Sequence, residues 1–519
     1  MKRASREQGS AMLAWVLLCA SAYAAGAGTN TGYALSATNT NGLFADGERV
    51  TVRFEWPATA APPSLQFEAF DAGGQLVRRY KLRQAGSRAT DVTIDPEGRR
   101  YLDLRLVDTR APTNVLAARS VAILPVAVAQ DRRFGLNATP EEATLARRLG
   151  ACWVRQHIPW EQGGADQPLQ SNAILRTVGH IRDAGCEVFG ISSYSLPWAS
   201  VYDAVNDKRP MRDFFSPPRP EPWDAYIRFA ARQIRGQVPF FEVWNESNFD
   251  MFWRSTPDTF DQRMDDYAAM LKRSYAILKA EAPDVQVSNG SIVNSHNGNP
   301  HLFLERLIEK GCSNSFDVLN LHYYRANRPP DEDEPDAPPR MTLERYLQGF
   351  RDIQSKAGLH KPVWMTEIGW PTVDPGGWGS VTEIEQAAFL VRAHVLCFAN
   401  GVEGVIWFQL QGREFGLISA EHGPRPACAA YTSLVRALRG RTFAGPVPAV
   451  GVRAFRFAGP EGDVIVAWSL TGTRWKLPAE FRIASAENVL GEPLRVSARR
   501  PIPLDGSPVF LFGTWTPAS

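Results

Sequence analysis

The sequence predicts an α/β protein whose central (β/α)8 barrel, a TIM barrel, is flanked by two smaller β-domains. From about residue 131 to about residue 440, eight short apolar runs alternate with longer amphipathic stretches, a pattern typical of repeated strand–helix units. Residues 30–127 and 445–519 instead alternate apolar and polar side chains, as antiparallel strands with one buried face do. These patterns predict three folded domains behind a short N-terminal leader.

The leader has the features of a secretory signal peptide. Cationic residues precede an apolar run at residues 11–20, and an A-x-A cleavage signal occupies residues 22–24. We therefore predict a signal peptide over residues 1–24 and export to the periplasm or the medium. The apolar run is shorter than the roughly 20 residues that span a bilayer, so no membrane span is expected.

The N-terminal domain is predicted over residues 25–128 as a β-sandwich of immunoglobulin type. Val50, Val52 and Phe54 share one face of a strand, and the same alternation recurs around Leu104. Short turn signals rich in Gly and Asp separate these runs, which is typical of a sandwich.

The barrel is predicted over residues 129–442. Its strands are almost continuously apolar, as expected of a parallel sheet buried on both faces, and helical stretches such as 259–280 and 384–399 separate them. The eight predicted strands lie at residues 133–136, 152–156, 186–191, 239–245, 284–289, 316–322, 362–367 and 404–409. Residues 443–519 return to strand-like alternation and predict a small C-terminal β-sandwich domain.

Composition excludes several classes of function. The 57 Lys and Arg residues nearly balance 55 Asp and Glu residues, so the basic excess of a nucleic-acid binder is absent and no nucleic-acid partner is expected. The sequence has no His-Glu-x-x-His motif and no phosphate-binding Gly-rich loop after a strand, so neither a metal nor a cofactor is expected. The oligomeric state stays open.

Five cysteines remain after removal of the leader, an odd number that leaves at least one free thiol. Their spacing does not match that of metal ligands, and most are expected to be small buried residues. One bridge, Cys152–Cys186, stays open as an alternative.

Acidic residues end two of the predicted strands. Glu246 follows the fourth strand and Glu367 ends the seventh. The carboxyl ends of barrel strands carry the active site in enzymes of this fold, so these glutamates are expected to face each other across its mouth. Hydrolysis of a glycosidic bond needs two such carboxyl groups. Glu242 lies within the fourth strand and is expected to be a buried structural carboxylate.

The motifs around these glutamates resemble those of glycoside hydrolase family 39, a clan A retaining family. The resemblance covers residues 131–515 and leaves the N-terminal domain outside it. The matching segments are Arg155-Gln156-His157, Trp244-Asn245-Glu246-Ser247-Asn248, His322-Tyr323-Tyr324 and Thr366-Glu367. Ser247 stands where the family has proline, and because proline fixes φ, the loop after Glu246 is expected to be freer here.

The resemblance implies a retaining β-glycosidase that works by double displacement, with Glu246 as acid/base and Glu367 as nucleophile. It also implies a polysaccharide or oligosaccharide as the partner. Arg155 and Tyr324 would hold Glu367, and Asn245 would contact the sugar 2-hydroxyl. Site roles are also expected for His157 and His322 at strand ends. Trp407 is expected to form the floor of the reacting sugar's subsite. Trp198 and Trp370 lie in loops on the same face, where they would either line a glycan cleft or pack beneath the loops.

Two further points stay open from the sequence. The acidic run at residues 331–336 is either a solvated loop or a surface that attracts a cationic amino-sugar polymer. The same fold could also serve an inactive glycan-binding or polysaccharide-export accessory protein, or a transglycosylase.

Overall fold

The computed structural model of the protein describes residues 33–56, 65–82, 89–202, 212–294, 299–333, 341–497 and 500–516. The predicted signal peptide at residues 1–24 lies outside this range. Among the described residues, no helix combines the length and the apolar character needed to cross a membrane.

The N-terminal region contains two sheets that share one core. Its strands are β1 (Ala34–Ala37), β2 (Leu43–Ala45), β3 (Val50–Glu55), β4 (Leu65–Phe70), β5 (Leu76–Lys81), β6 (Ala89–Ile94), β7 (Tyr101–Asp108) and β8 (Ala111–Leu124). One sheet has the order β1-β3-β6 and the other β2-β8-β7-β4-β5. Phe54 of the first sheet meets Phe67 of the second edge to face, with ring centroids 4.8 Å apart. The alternating residues predicted to be buried here, Val52 and Leu104 among them, lie in this core.

The central region is a parallel barrel. Its strands are β9 (Asp131–Asn137), β10 (Ala151–His157), β11 (Glu187–Ser192), β12 (Phe240–Val243), β13 (Gln286–Asn289), β14 (Ile292–Val293), β15 (Leu319–Tyr324), β16 (Val363–Gly369) and β17 (Val402–Trp407). The order is β13-β12-β11-β10-β9-β17-β16-β15-β14, and a bridge between Ser288 and Val318 closes the ring. The eight predicted strands are confirmed, the fifth being divided into β13 and β14.

The division of the fifth strand depends on Gly290. A Cβ atom at this position would lie 2.3 Å from the carbonyl oxygen of Val243 and 2.7 Å from that of Trp244. Only glycine therefore allows the fifth strand to approach the end of the fourth so closely, and this contact later positions Glu246.

Helices surround the barrel. They are α1 (Ala143–Arg148), α2 (Asn172–Asp183), α3 (Arg212–Phe215), α4 (Pro220–Ile234), α5 (Phe260–Glu281), α6 (Pro300–Glu309), α7 (Leu343–Lys356), α8 (Glu383–Ala399) and α9 (Pro426–Leu438). The two helices predicted from periodicity correspond to α5 and α8. Helix α8 begins with a capping box in which Thr382 and Glu385 satisfy each other's backbone N–H groups.

Side-chain alternation separates a packed barrel floor from a polar mouth. Trp153, Trp364 and Ile406 pack together with Phe189 and Val318 at the floor. Successive strand residues point to opposite faces, so Arg155, two positions after Trp153, also points inward but nearer the mouth.

A long connection, residues 408–425, follows β17. It contains a short hairpin of β18 (Ile418–Ser419) and β19 (Gly423–Pro424). The hairpin contacts the N-terminal region, because the Ser120 backbone N–H donates to the His422 carbonyl at 2.7 Å and its hydroxyl donates to the Pro424 carbonyl at 2.6 Å. The N-terminal region is thus joined to a loop that leads directly into the barrel mouth.

The C-terminal region contains a five-stranded and a two-stranded sheet. Its strands are β20 (Thr442–Pro446), β21 (Arg453–Ala458), β22 (Asp463–Trp468), β23 (Thr473–Trp475), β24 (Phe481–Glu487), β25 (Ile502–Leu504) and β26 (Val509–Trp515). The larger sheet has the antiparallel order β20-β21-β22-β26-β24, and β23 pairs with β25.

Asp331, at the start of the acidic run, connects the C-terminal region to the barrel. Asp331 is buried, forms an ion pair with Arg392 of α8 and accepts a hydrogen bond of 2.8 Å from Nε1 of Trp468. Asp333 is exposed and pairs with Arg345 at 3.4 Å. Asp331 therefore belongs neither to a solvated loop nor to a surface that attracts a polymer. Residues 334–336 of the run lie outside the described residues.

All five cysteines of the described chain are free and buried. Cys152 and Cys186 are not bridged, so the disulfide kept open from the sequence is absent. The Cys186 thiol instead lies against the backbone carbonyls of Ala143 and Ala151. Burial raises the pKa of Cys186 to about 12, which keeps it a thiol.

Candidate active site

The two strand-end glutamates meet at the mouth of the barrel. One carboxylate oxygen of Glu246, one of Glu367 and a ring nitrogen of His322 all lie within 4.8 Å of one another. Both glutamates are buried, with at most 9% of either residue exposed. The strands thus bring the two carboxyl groups into one small, largely desolvated volume.

The backbone around Glu246 is turned sharply and held in place. Trp244 and Glu246 have φ angles of 76° and 47°, in the left-handed region that few non-glycine residues adopt. The Glu246 N–H donates to the Ser291 hydroxyl at 3.0 Å. The turn therefore depends on the divided fifth strand, which supplies Ser291 directly after Gly290.

Ser247 holds this turn rather than loosening it. Its backbone N–H and its hydroxyl both donate to the Gly290 carbonyl, at 3.2 Å and 2.9 Å. Asn248 then donates to the Val293 carbonyl at 2.7 Å. The expectation of a freer loop is therefore wrong, because serine supplies two donors that proline lacks.

Glu246 is the first member of a buried hydrogen-bond chain. Its Oε1 lies 2.9 Å from Nδ1 of His322, whose Nε2 lies 3.0 Å from the Thr366 hydroxyl. The hydroxyl in turn donates to Oδ1 of Asn320 at 2.7 Å. With a neutral imidazole and the Asn320 amide oxygen facing Thr366, Nε2–H donates to Thr366 and the bare Nδ1 accepts the carboxyl proton of Glu246.

The electrostatics agree with this assignment. Burial, and then the charge of Glu367, raises the pKa of Glu246 well above its ordinary value. Burial, and then the charge of Arg155, lowers the pKa of His322 well below its ordinary value. A neutral imidazole beside a protonated carboxyl group is the state that these environments favour.

Glu367 is held by two donors. Arg155 Nη1 donates to its Oε1 at 2.6 Å, and the Tyr324 hydroxyl donates to its Oε2 at 2.6 Å. Burial, followed by the charge of Glu367, raises the pKa of Tyr324 well above its ordinary value, so the phenol keeps its proton. Both donors fix the direction of its oxygens.

Arg155 connects most of the polar groups at the mouth. Its Nε and Nη2 bind both oxygens of Glu242 at 2.8 Å and 3.1 Å, and Nη2 also donates to Oδ1 of Asn245 at 2.9 Å. Burial opposes the charge of Arg155, but Glu242 and Glu367 together raise its pKa. Glu242 is fully buried and serves as the partner of a guanidinium, in agreement with the structural role expected of it.

Asn245 and the exposed face of His157 border the opening. The Asn245 side-chain amide donates to the Tyr194 hydroxyl at 3.1 Å. His157 is exposed and its Nδ1 lies 3.1 Å from the Ser193 carbonyl. His157 also lines a neighbouring groove of about 330 Å³ beside Gln156 and Arg176. Tyr194 was not predicted from the sequence; the polar run after the third strand was its only signal.

Two of the predicted aromatic contacts are not available to a substrate. Trp407 is fully buried and stacks at 6.1 Å on Trp370 and at 6.2 Å on His394 of α8. Trp370 is also fully buried and donates from Nε1 to the Arg328 carbonyl. The expectation that Trp407 forms a subsite floor is therefore wrong, and Trp370 packs beneath the loops. Trp198 is half-buried, with its ring 6.2 Å from that of Trp160.

A different set of aromatic rings stands beside Glu367, and we call Tyr324, Trp378, Phe408 and Phe415 the aromatic wall. The Tyr324 centroid lies 6.0 Å from Trp378, 6.2 Å from Phe408 and 5.7 Å from Phe415. Phe408 takes the place expected of Trp407. The alternation of side chains along the strand could have indicated this. Ile406 points inward, so the side chain two positions later, Phe408, also points inward, whereas Trp407 points outward.

Glu246, His322 and Glu367 form the one group in the described part of the chain with enough convergent ligand atoms to suggest a metal ion. Arg155, 2.6 Å from Glu367, already supplies a cation there. The hydrogen bond between Glu246 and His322 also occupies the ligand atoms that a metal would need. The arrangement fits a proton-transfer site better than a metal centre.

Comparison with known proteins shows that the fold of this chain is similar to that of several solved structures. No protein-family model matches the chain, and no curated protein matches its sequence. A family 39 glycoside hydrolase from the gut symbiont Bacteroides cellulosilyticus WH2 superposes with a TM-score of 0.67 at 18% identity, over 93% of this chain and 100% of that one.

Two further solved structures are similar over about three quarters of the chain. The GH39 enzyme from Xanthomonas axonopodis pv. citri has a TM-score of 0.50 at 14% identity, over 75% of this chain and 96% of its own. A monomeric beta-xylosidase from Caulobacter crescentus CB15 has a TM-score of 0.50 at 16% identity, over 76% and 98%. The resemblance to family 39 that the motifs predict is confirmed in the fold. The Bacteroides enzyme extends it beyond residues 131–515.

Proposed function

We propose that the protein is a retaining glycoside hydrolase that cleaves β-glycosidic bonds by double displacement. One observation carries the proposal: oxygens of Glu246 and Glu367 approach within 4.8 Å of each other at the barrel mouth. Retaining enzymes place their carboxyl groups about 5–5.5 Å apart, whereas inverting enzymes need about 6.5–9.5 Å to admit a water molecule between them. The short separation supports direct attack by one carboxylate.

In the first step, an oxygen of Glu367 forms a bond to the anomeric carbon as the bond to the leaving oxygen breaks. Glu246 gives its proton to that leaving oxygen. Arg155 and Tyr324 hold Glu367 in a fixed orientation before the reaction, so little reorganisation is needed at the moment of attack. A raised pKa keeps Glu246 protonated for its role.

In the second step, Glu246, now ionised, takes a proton from a water molecule. The hydroxide oxygen bonds to the anomeric carbon and the bond to Glu367 breaks, which restores both glutamates and retains the configuration. His322 stays neutral because of its lowered pKa. It thus orients Glu246 while that carboxyl group is protonated, and it does not compete for the proton.

The charge at the mouth favours the transition state. Glu242 and Glu367 share the guanidinium of Arg155 in a buried site. In the proposed mechanism the carboxylate of Glu367 attacks the sugar, and its negative charge stabilises the positive charge that develops in an oxocarbenium-like transition state.

Export and the domain boundaries are further parts of the proposal. The signal peptide at residues 1–24 would direct the enzyme to the periplasm or the medium, where polysaccharides occur. The sheets on either side of the barrel would form the two predicted sandwiches, with boundaries near residues 128 and 442. A polysaccharide or oligosaccharide is the proposed substrate.

The experiment is product analysis on a panel of bacterial and plant polysaccharides, with wild type compared to Glu367→Gln. We expect wild type alone to release oligosaccharides detectable by mass spectrometry. Binding without release would instead support a glycan-binding accessory protein. Products longer than the substrate would indicate transglycosylation.

A further inference from the structure

The aromatic wall presents one ring to solvent in a position that the proposed reaction does not use. Trp378 is 36% exposed and stands 6.0 Å from Tyr324, whose hydroxyl binds Glu367. Phe415, fully buried, lies behind both rings at 5.7 Å and 6.4 Å. An exposed indole backed by buried aromatic rings beside a catalytic pocket is a surface suited to the apolar C–H face of a sugar.

The backbone around Trp378 is held by a single side chain. Oδ1 of Asp374 accepts hydrogen bonds from four backbone N–H groups, those of Trp378 and three glycines, at 2.8–3.1 Å. These glycines, Gly376, Gly377 and Gly379, all have positive φ angles. Although burial opposes it, this set of donors lowers the pKa of Asp374 and keeps it ionised. The loop therefore offers Trp378 in a fixed position, which reduces the entropy cost of binding.

The position of the wall identifies which part of a substrate it would meet. Glu246 protonates the leaving oxygen, so the leaving group lies on the side of β12. Trp378 and Phe408 follow β16 and β17, on the side of Glu367 and of the sugar that it attacks. Tyr324 binds Glu367 directly and Trp378 contacts the ring of Tyr324, so we place Trp378 next to the reacting sugar rather than on it.

We propose that Trp378 forms a second glycone subsite, which binds the sugar next to the reacting one. The inference rests on the proposed function and gives it a substrate class: β-linked chains with at least two sugars on the glycone side. The products that carry the new reducing end would then be disaccharides or longer, and a monosaccharide would not be the main product.

The first test compares aryl glycosides that share a leaving group. We would measure kcat/KM for 4-nitrophenyl β-xyloside and β-xylobioside, and for the β-glucoside and β-cellobioside. For a cleaved pair, wild type should favour the disaccharide glycoside by about two- to tenfold, the range expected of one aromatic contact. Trp378→Ala should remove most of this preference and lower kcat/KM for the monosaccharide glycoside much less than for the disaccharide glycoside, while Trp378→Phe should keep part of the preference.

Asp374 provides a second variant that leaves the indole in place. Asp374→Ala removes the acceptor of four N–H groups and should lower the preference, whereas Asp374→Asn retains an acceptor oxygen and should restore it. Leu470→Ala, which truncates an exposed apolar side chain of the C-terminal region, is the matched control and should change neither rate. Circular dichroism would establish that each variant is folded.

Three outcomes would overturn the subsite. They are equal losses on both glycosides in Trp378→Ala, an unchanged preference in that variant, and a monosaccharide as the main product from the polysaccharide that the enzyme cleaves. Failure of the proposed function has a different signature: either wild type cleaves neither glycosides nor polymers, or Glu367→Gln keeps full activity. The first of these would also remove the basis of the subsite.

Discussion

Oε1 of Glu246 lies 2.9 Å from Nδ1 of His322, so the proposed acid and a buried imidazole share one hydrogen bond. Which of the two groups donates determines how the imidazole affects the acid. A hydrogen bond made by the protonated carboxyl group raises the pKa of that group, and one accepted by the carboxylate lowers it. The chain through Thr366 to Asn320 favours the first case.

We predict that His322→Phe moves the basic limb of the pH profile of kcat/KM to lower pH. Glu246 must be protonated to act, so activity falls as the pH rises through its raised pKa. Loss of the acceptor at Nδ1 removes one reason for that raised value. A shift of the basic limb to higher pH would instead mean that Nδ1–H donates to a carboxylate.

Removal of each glutamate should have a different signature. Glu246→Gln should lose about 10²- to 10⁴-fold in activity on natural substrates, the usual worth of a general acid. It should lose much less on glycosides with good leaving groups, which need no proton. Glu367→Gln should lose activity on both, since no nucleophile remains. Glu421→Gln, at an exposed position, is the control, and rescue of Glu367→Gln by activated glycosides would reverse the two roles.

Glu246→Gln should also make the protein more stable at neutral pH. The folded state raises the pKa of Glu246, so its proton stabilises the fold below the unfolded-state value of about 4.3. That contribution is lost progressively as the pH rises toward the folded-state pKa. Glutamine stays neutral, so the gain in unfolding free energy over wild type should be larger at pH 8 than at pH 4. Urea denaturation at both pH values measures it, and an equal gain at both would contradict the prediction.

Asp331→Asn should destabilise the protein far more than Asp333→Asn. Asp331 pairs with Arg392 in a buried setting, and removal of one partner from such a pair costs about 3–5 kcal/mol because the other charge stays buried. Asp333 and Arg345 are exposed, and pairs of that kind contribute about 0–1 kcal/mol. Chemical denaturation of the two variants, each with the same change of side chain, gives the comparison.

The sequence predicted the parts of the site that regular strands position. Glu246, Glu367, Arg155 and His322 follow from strand ends and motifs, because eight parallel strands of similar length bring their carboxyl ends to one rim. An error of one residue in the last strand was enough to choose Trp407 over Phe408, since neighbouring residues face opposite sides of a sheet.

The contacts of residues in long loops were beyond sequence reasoning. The contact between the Trp378 and Tyr324 rings joins a loop to the end of β15, and their relative position depends on the whole barrel. Asp331 appeared to belong to a polar run, and its burial depends on Arg392 and Trp468 from two other parts of the chain. Local composition contains no information about partners that are so far away.

Ser120 contacts the β18–β19 hairpin through His422 and Pro424, which follow it by 302 and 304 positions in the chain. At a synthesis rate of about 5–20 residues per second, the hairpin is made roughly 15–60 s after Ser120. Leu43, Tyr101 and Leu124 lie in the same apolar cluster as helix α9, which contacts β8, and through that interval α9 has not yet been made. A nascent chain of this protein therefore needs protection from aggregation while this surface stays open. A shortened protein that begins at residue 129 would expose the complementary surface permanently.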